Sequence, residues 1–140
     1  MEAIGIVYPI PKEIMNSLFN EKKSVFVKFT HQPSKKTIIR IKEGMKLYLY
    51  ESHSENCFVG EADISKVSYL LLEDILKKYR EKLIISEKDL REYAQGRESK
   101  MLLVLNLVNI KKYDKPRKSK KRITMAGHYI TLENKKEVFW

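Results

Sequence analysis

The sequence predicts an α+β domain whose many short, mostly antiparallel strands form a mixed, strongly bent sheet that curls into a small barrel. Three observations carry that expectation. Runs of period-two alternation and β-branched residues recur along the chain, helical spacing is confined to one early segment and one two-helix excursion, and 140 residues suit one domain, 1–140, with a proper core.

Taken in order, Ala3 to Tyr8 is a short apolar strand that Pro9-Ile10-Pro11 should end, because proline cannot donate to a central ladder. Pro11 suits the first turn of a helix in which Ile14, Met15, Leu18 and Phe19 share one face. Ser24 to Thr30 is β-branched and aromatic enough for a strand, with Val25, Val27 and Phe29 on one side and Phe26, Lys28 and Thr30 on the other. A proline-bearing loop, His31 to Lys36, leads to a short extended run from Thr37 to Ile41.

The stretch from Gly44 to Ile64 reads as a hairpin. Met45, Leu47 and Leu49 alternate with Lys46, Tyr48, Tyr50 and Ser52, which puts aliphatic groups on a core face and polar-tipped aromatics on a face turned to water or a ligand. A polar turn follows, and then a second alternating run from Phe58 to Ile64.

From Val67 to Lys82, Leu71, Leu72, Ile75, Leu76 and Tyr79 have helical spacing. A second helix is expected to start at Ser86, since Ser86-Glu87-Lys88-Asp89 resembles a capping box, and to end near Gly96. Seven acidic and seven basic residues balance from Glu73 to Glu98, the pattern of a solvated scaffold rather than a binding face. Met101 to Ile110 is a long central strand, the basic segment containing Pro116 a loop, and Arg122–Met125 and Tyr129–Leu132 two closing strands. The terminal Phe139 and Trp140 are expected to be docked.

Composition bounds the function. No run of about 18 apolar residues is present and the N-terminus lacks the order of a signal peptide, so a soluble, cytoplasmic protein without membrane partners is expected. One cysteine, Cys57, and three histidines make a metal cluster improbable, and no cofactor is expected. The formal charge is +10, and eight basic residues between Lys111 and Arg122 face a single acid, Asp114. Such a segment attracts polyanions through phosphate contacts, with Lys118, Lys120, Lys121 and Arg122 at its centre. A solvated basic loop is the alternative, given 22 lysines against 6 arginines, a bias that also suits a heat-adapted source.

A strand, an early helix, Val25-x-x-Lys28-x-Thr30, then Gly44-x-x-Leu47-x-Leu49-Tyr50-Glu51-Ser52 leading to Val59-Gly60-Glu61-Ala62 resembles the PUA-like superfamily, which contains PUA, ASCH and EVE domains and small uncharacterised archaeal families. The resemblance implies a PUA-like pseudo-barrel with a cleft that receives RNA or a single base. In EVE-like relatives aromatic residues hold a modified base, which makes Tyr48, Tyr50, His128 and Tyr129 candidates here. ASCH-type hydrolases carry Lys-Thr-x-Thr-x-Arg before the Gly-x-x-Leu strand. This chain has Lys36-Thr37-Ile38-Ile39-Arg40 instead, one residue shorter and with Ile39 at the nucleophile's place, so Lys28 with Thr30 is the substitute pair and Glu61 the candidate acid.

The remaining candidates come from position. Lys28, Thr30 and His31 sit at a strand end before a loop, Arg40 is a phosphate contact or a partner of Glu43 or Glu51, and Glu51 and Ser52 open a polar turn able to meet a base edge. His128 follows Gly127, which permits close backbone approach. The expected function is binding of RNA or a modified nucleobase, with hydrolysis of a nucleoside-like or RNA substrate, using Lys28 or Lys36 with Thr30 or Thr37, as the alternative; the oligomeric state is open.

Overall fold

The computed structural model describes residues 3–30, 41–52, 57–120, 123 and 127–138. Its elements, in chain order, are β1 (Ala3–Pro11), α1 (Lys12–Asn20), β2 (Val25–Lys28), β3 (Lys46–Ser52), β4 (Cys57–Leu70), α2 (Leu72–Tyr79), α3 (Glu87–Ala94), β5 (Leu102–Lys118), β6 (His128–Thr131) and α4 (Lys135–Val138). The strands form one six-stranded mixed sheet in the order β2-β5-β4-β3-β1-β6. Only β1 and β3 run parallel; the other neighbours are antiparallel.

The sheet is open in its hydrogen bonding yet strongly curled. Tyr8 of β1 stacks on Phe26 of β2, ring centroids 5.5 Å apart, although three strands separate them in the sheet. Three register shifts between β4 and β5 supply the bend, since each bulge adds local twist. The concave face holds the main core of Ile6, Tyr8, Phe26, Leu47, Leu49, Ile64 and Leu105, plugged by Met15 and Leu18 of α1. On the convex side α2 and α3 cover Val25, Leu102 and Val104 at one end, and a third cluster at the other end contains Val7, Tyr48, Tyr50, Phe58, Ile130 and Val138. No helix among the described residues is long and apolar enough to cross a membrane.

Local chemistry explains most elements. Ser86 caps α3 by accepting from the Asp89 amide at 3.1 Å, as its sequence predicts. Gly44 takes φ +91° in the turn before β3, a conformation that glycine reaches without strain.

Several expectations are corrected. β1 continues through both prolines to Pro11; the β6 pairing ends at Val7, so among the described residues the proline stretch has a neighbour on one side alone, where proline is tolerated. Val67 to Leu70 extends β4 rather than opening a helix, because it pairs with Leu102–Leu105. The basic segment as far as Lys118 is strand, not loop, and Pro116 falls where β5 bulges between Lys112 and Arg117 opposite Val59. Val138 ends a short helix with its side chain buried. The expected run at Thr37–Ile41 and the strand at Arg122–Met125 lie largely outside the described residues, as do Phe139 and Trp140.

Candidate functional site

Tyr8 organises the site, and sequence reading passed over it as one apolar-strand residue among several. Its ring is 3% exposed, stacked on Phe26 and capped from above by Lys28, whose Nζ lies 5.4 Å from the ring centroid. Burial, with Tyr129 adding, pushes the Tyr8 hydroxyl well above its ordinary range, and a hydrogen bond with the Thr30 side chain pulls it part of the way back. Gly127, at φ +80°, presses its backbone onto the same ring: a Cβ there would come within 2.6 Å of Tyr8 Cε1. Tyr129 packs against the concave core, and burial raises its hydroxyl pKa, with Tyr69 adding. The register of β6 explains the side on which it lies, since Tyr129 pairs with Ile6 on that face.

Beside this cluster opens a cleft of about 200 Å³, lined by Pro9, Ile10 and Pro11 of β1, Ile14 of α1, Phe26 to Lys28 of β2, Ile84, Ile85 and Tyr93. That volume is below the roughly 300–1,000 Å³ of sites for drug-sized ligands, so it suits a fragment of one or two rings. Its walls are mostly apolar, and Lys28 is the single charged residue among the described ones that line it. Burial lowers the Lys28 pKa, and no carboxylate among the described residues pairs with it. Among the described residues, then, a half-buried cation with no carboxylate beside it lies over an aromatic ring and lines an apolar cleft, an arrangement that can meet an anionic or electron-rich group.

The structure thus brings Lys28, Thr30 and Tyr129 together around Tyr8. Glu51 and Ser52, half-buried, flank them at one remove, paired with Ile10 and Pro11 of the cleft wall. His128 is directed elsewhere: it pairs with Val7, whose side chain belongs to the convex cluster, and its Nε2 is buried with no hydrogen-bond partner among the described residues.

Tyr48 and Tyr50 are corrected outright as a stacking platform. They do face away from Leu47 and Leu49, but that face is a second core, where they are 5% and 6% exposed and Tyr50 packs edge-on against Phe58 at 5.3 Å. Alternation reports two faces; it does not report whether the second is also covered. Glu61, the candidate acid, shares that convex side. Its carboxylate accepts from Lys46 Nζ at 2.9 Å and from the Tyr113 hydroxyl at 2.9 Å, while Lys46 also reaches Asp63 at 3.0 Å and Asn109 donates to Asp63 at 2.9 Å. Burial alone would raise the Glu61 pKa, but these hydrogen bonds outweigh it and the net shift is downward. Glu61 and Lys28 therefore stand on opposite faces of the sheet.

The far half of β5 displays Lys111, Lys112, Lys115 and Lys118 to solvent; Lys112 Nζ lies 5.6 Å from the Phe19 ring centroid on α1. Lys120 follows, exposed, its amide bonded to the Val138 carbonyl at 2.8 Å. His31, Arg40, Lys121 and Arg122 lie outside the described residues.

Known proteins share this architecture. The crystal structure of ASCH from Zymomonas mobilis superimposes with a TM-score of 0.77 at 13% identity, covering 96% of this chain and 92% of that one. A serine-to-alanine mutant of the same protein gives 0.79 at 12% identity over 97% and 94%. At such identities the likeness establishes the fold, a PUA-like pseudo-barrel. An uncharacterized protein of the archaeon Methanocaldococcus jannaschii is 30% identical over 104 residues, 67% of this chain and 96% of that relative. Residues 3–132 match the family described as a domain of unknown function, DUF365, and the chain belongs to that family.

Proposed function

We propose that this DUF365 domain binds RNA through an unpaired nucleotide whose base enters the cleft beside Tyr8, with the exposed lysines of β5 contacting phosphates further along the strand. The observation that carries the reading is the convergence of Lys28, Thr30 and Tyr129 on one ring at an apolar cleft of single-base size. Apolar walls accept a base's flat face, and hydroxyls and an ammonium at the mouth read its edge or neutralise its phosphate. The ASCH-like fold adds support by analogy of architecture.

Equilibrium binding of a fluorescent single-stranded RNA tests the reading. Lys28→Ala and Tyr129→Ala should each weaken binding by roughly 1–3 kcal/mol. Replacing Lys112, Lys115 and Lys118 by Glu should weaken binding to every sequence and flatten its salt dependence, the slope falling by about one for each phosphate released. An unchanged salt slope removes the β5 lysines from the interface, and equal affinity in the Lys28 variant removes the cleft.

A second reading has one observation in its favour: a lysine with a lowered pKa lies beside the same tyrosine as a threonine hydroxyl. Neutral Lys28 would take the Thr30 proton as that oxygen adds to the acyl carbonyl, return it to the nucleoside nitrogen as the acyl–nitrogen bond breaks, and water would then hydrolyse the acyl-threonine to free the carboxylic acid and the hydroxyl. Release of product from acylated nucleosides, lost in Thr30→Ala, would establish hydrolysis; no release leaves binding alone.

A further inference from the structure

Phe29, Tyr93 and Arg97 form a stack of which Tyr93 lines the cleft, and the charge balance of the helical excursion gives no hint of it. The Phe29 and Tyr93 rings are 5.1 Å apart and tilted by 43°, and the Tyr93 hydroxyl accepts the Phe29 amide at 3.0 Å. The Arg97 guanidinium lies 4.1 Å from the Phe29 centroid and 5.0 Å from that of Tyr93, and one of its amino groups donates to the Tyr93 carbonyl. Stacking and that hydrogen bond hold the planar fork in one orientation, and a guanidinium has five N–H donors to offer.

Arg97 differs from the neighbouring arginines. Arg80 is paired with Glu87 at 2.8 Å, and Arg91 with Glu73 and Glu87 at 2.9 and 3.0 Å. No carboxylate among the described residues pairs with Arg97, and the adjacent Glu98 accepts from the Gly96 amide instead. Tyr93, which carries this arginine, is itself a cleft wall, and Phe29 directly follows Lys28. Two cations that pair with no carboxylate among the described residues thus lie along this edge of β2: Lys28 lines the cleft, and Arg97 is stacked on Tyr93, which lines it too.

We propose that Arg97 is the phosphate clamp of the cleft, so that the ligand recognised is a nucleotide carrying a phosphate and not a free base or nucleoside. A stacked guanidinium matches a phosphate with two parallel hydrogen bonds, and the rings beneath it reduce the entropy cost of ordering a long side chain. The inference rests on the nucleotide reading above and narrows it to phosphate-bearing ligands.

Calorimetric titration tests it with the four ribonucleosides, their 5′-monophosphates and a single-stranded oligouridylate, each against the wild type, Arg97→Gln and Arg97→Ala. The glutamine keeps a flat polar end over Phe29 without the charge, so a folded control survives if the alanine variant is unstable. The monophosphates and the oligomer should bind the wild type roughly tenfold or more tightly than the nucleosides do and lose that margin in either variant, while the weaker nucleoside binding is unchanged. Equal affinity of phosphate-bearing ligands for wild type and variants overturns the clamp while leaving the cleft's nucleotide reading intact. No binding of any of the three ligand classes to the wild type overturns both.

Discussion

On the convex face of the sheet Lys46 lies between Glu61 and Asp63, whereas on the concave face Lys28 lies over the Tyr8 ring with no carboxylate among the described residues to meet it. Both faces carry tyrosines, and both would be drawn from sequence as an aromatic strand with a lysine beside it. On the first, Lys46, Tyr113 and Asn109 each donate to a carboxylate, and the rings are sealed by Phe58, Ile130 and Val138. On the second, the Tyr8 ring is what the half-buried ammonium meets, and no carboxylate among the described residues offsets its burial. Matched polar groups suit scaffold, because pairing offsets their desolvation; an unmatched one beside a cleft is a candidate for a ligand site.

Truncating a convex-face ring should give the largest effect. Tyr50→Ala removes a ring at 6% exposure from its contact with Phe58 and is expected to cost about 3–5 kcal/mol in chemical denaturation, while folded protein keeps its RNA affinity. Loss of affinity without loss of stability would restore Tyr50 to the interface and dissolve the contrast between the faces.

A smaller effect should follow from Glu61→Ala. The half-buried Tyr113 hydroxyl loses its acceptor and Lys46 one of two partners, for a cost of about 1–3 kcal/mol, lessened by the partial exposure of Lys46. The folded-state pKa of Glu61 is depressed, so its stabilisation is present above the unfolded value of about 4.3 and disappears as pH falls through the folded one. The stability gap between wild type and variant should therefore narrow as pH is lowered below that unfolded value. A gap that stays constant from pH 7 to pH 3 would mean that packing, not the carboxylate, holds this corner.

The sequence made the strand pair, the early helix and the Ser86 cap legible because each is written in local periodicity or capping chemistry. The same locality hid the rest. Pro9 and Pro11 break strands in isolation, and the end of the β6 pairing at Val7 leaves them a single strand neighbour among the described residues. Lys28, Thr30 and Tyr129 were readable as polar residues at strand ends, but Tyr8, which unites them, looked like filler, since its contact with Phe26 depends on the curl of a whole sheet. Tyr48 and Tyr50 erred in the opposite direction: period-two alternation cannot reveal that β6 and α4 cover the second face. Arg97 sat inside a charge-balanced stretch, and balance of totals says nothing about which arginine is left without an acid.

The subtlest test of the two faces lies in the titration of Lys28. Its folded-state pKa is lowered by burial, so between that value and the unfolded one of about 10.4 the unfolded chain binds more protons, and stability rises with pH through that window. Affinity for an anionic ligand must move the other way, because the ligand prefers the protonated lysine and is lost as pH climbs through the lowered pKa. Lys28→Met removes both slopes: subtracting its denaturation and binding curves from those of the wild type, measured from pH 7 to pH 10, should leave opposite trends in stability and affinity. Lys46 makes the internal contrast, since its pKa is raised by the hydrogen bonds it donates to Glu61 and Asp63 and its stabilisation holds until pH exceeds the unfolded value. If the Lys28 difference curves are flat, the ammonium is hydrated and indifferent to its ring, and the concave face carries no more tension than the convex one.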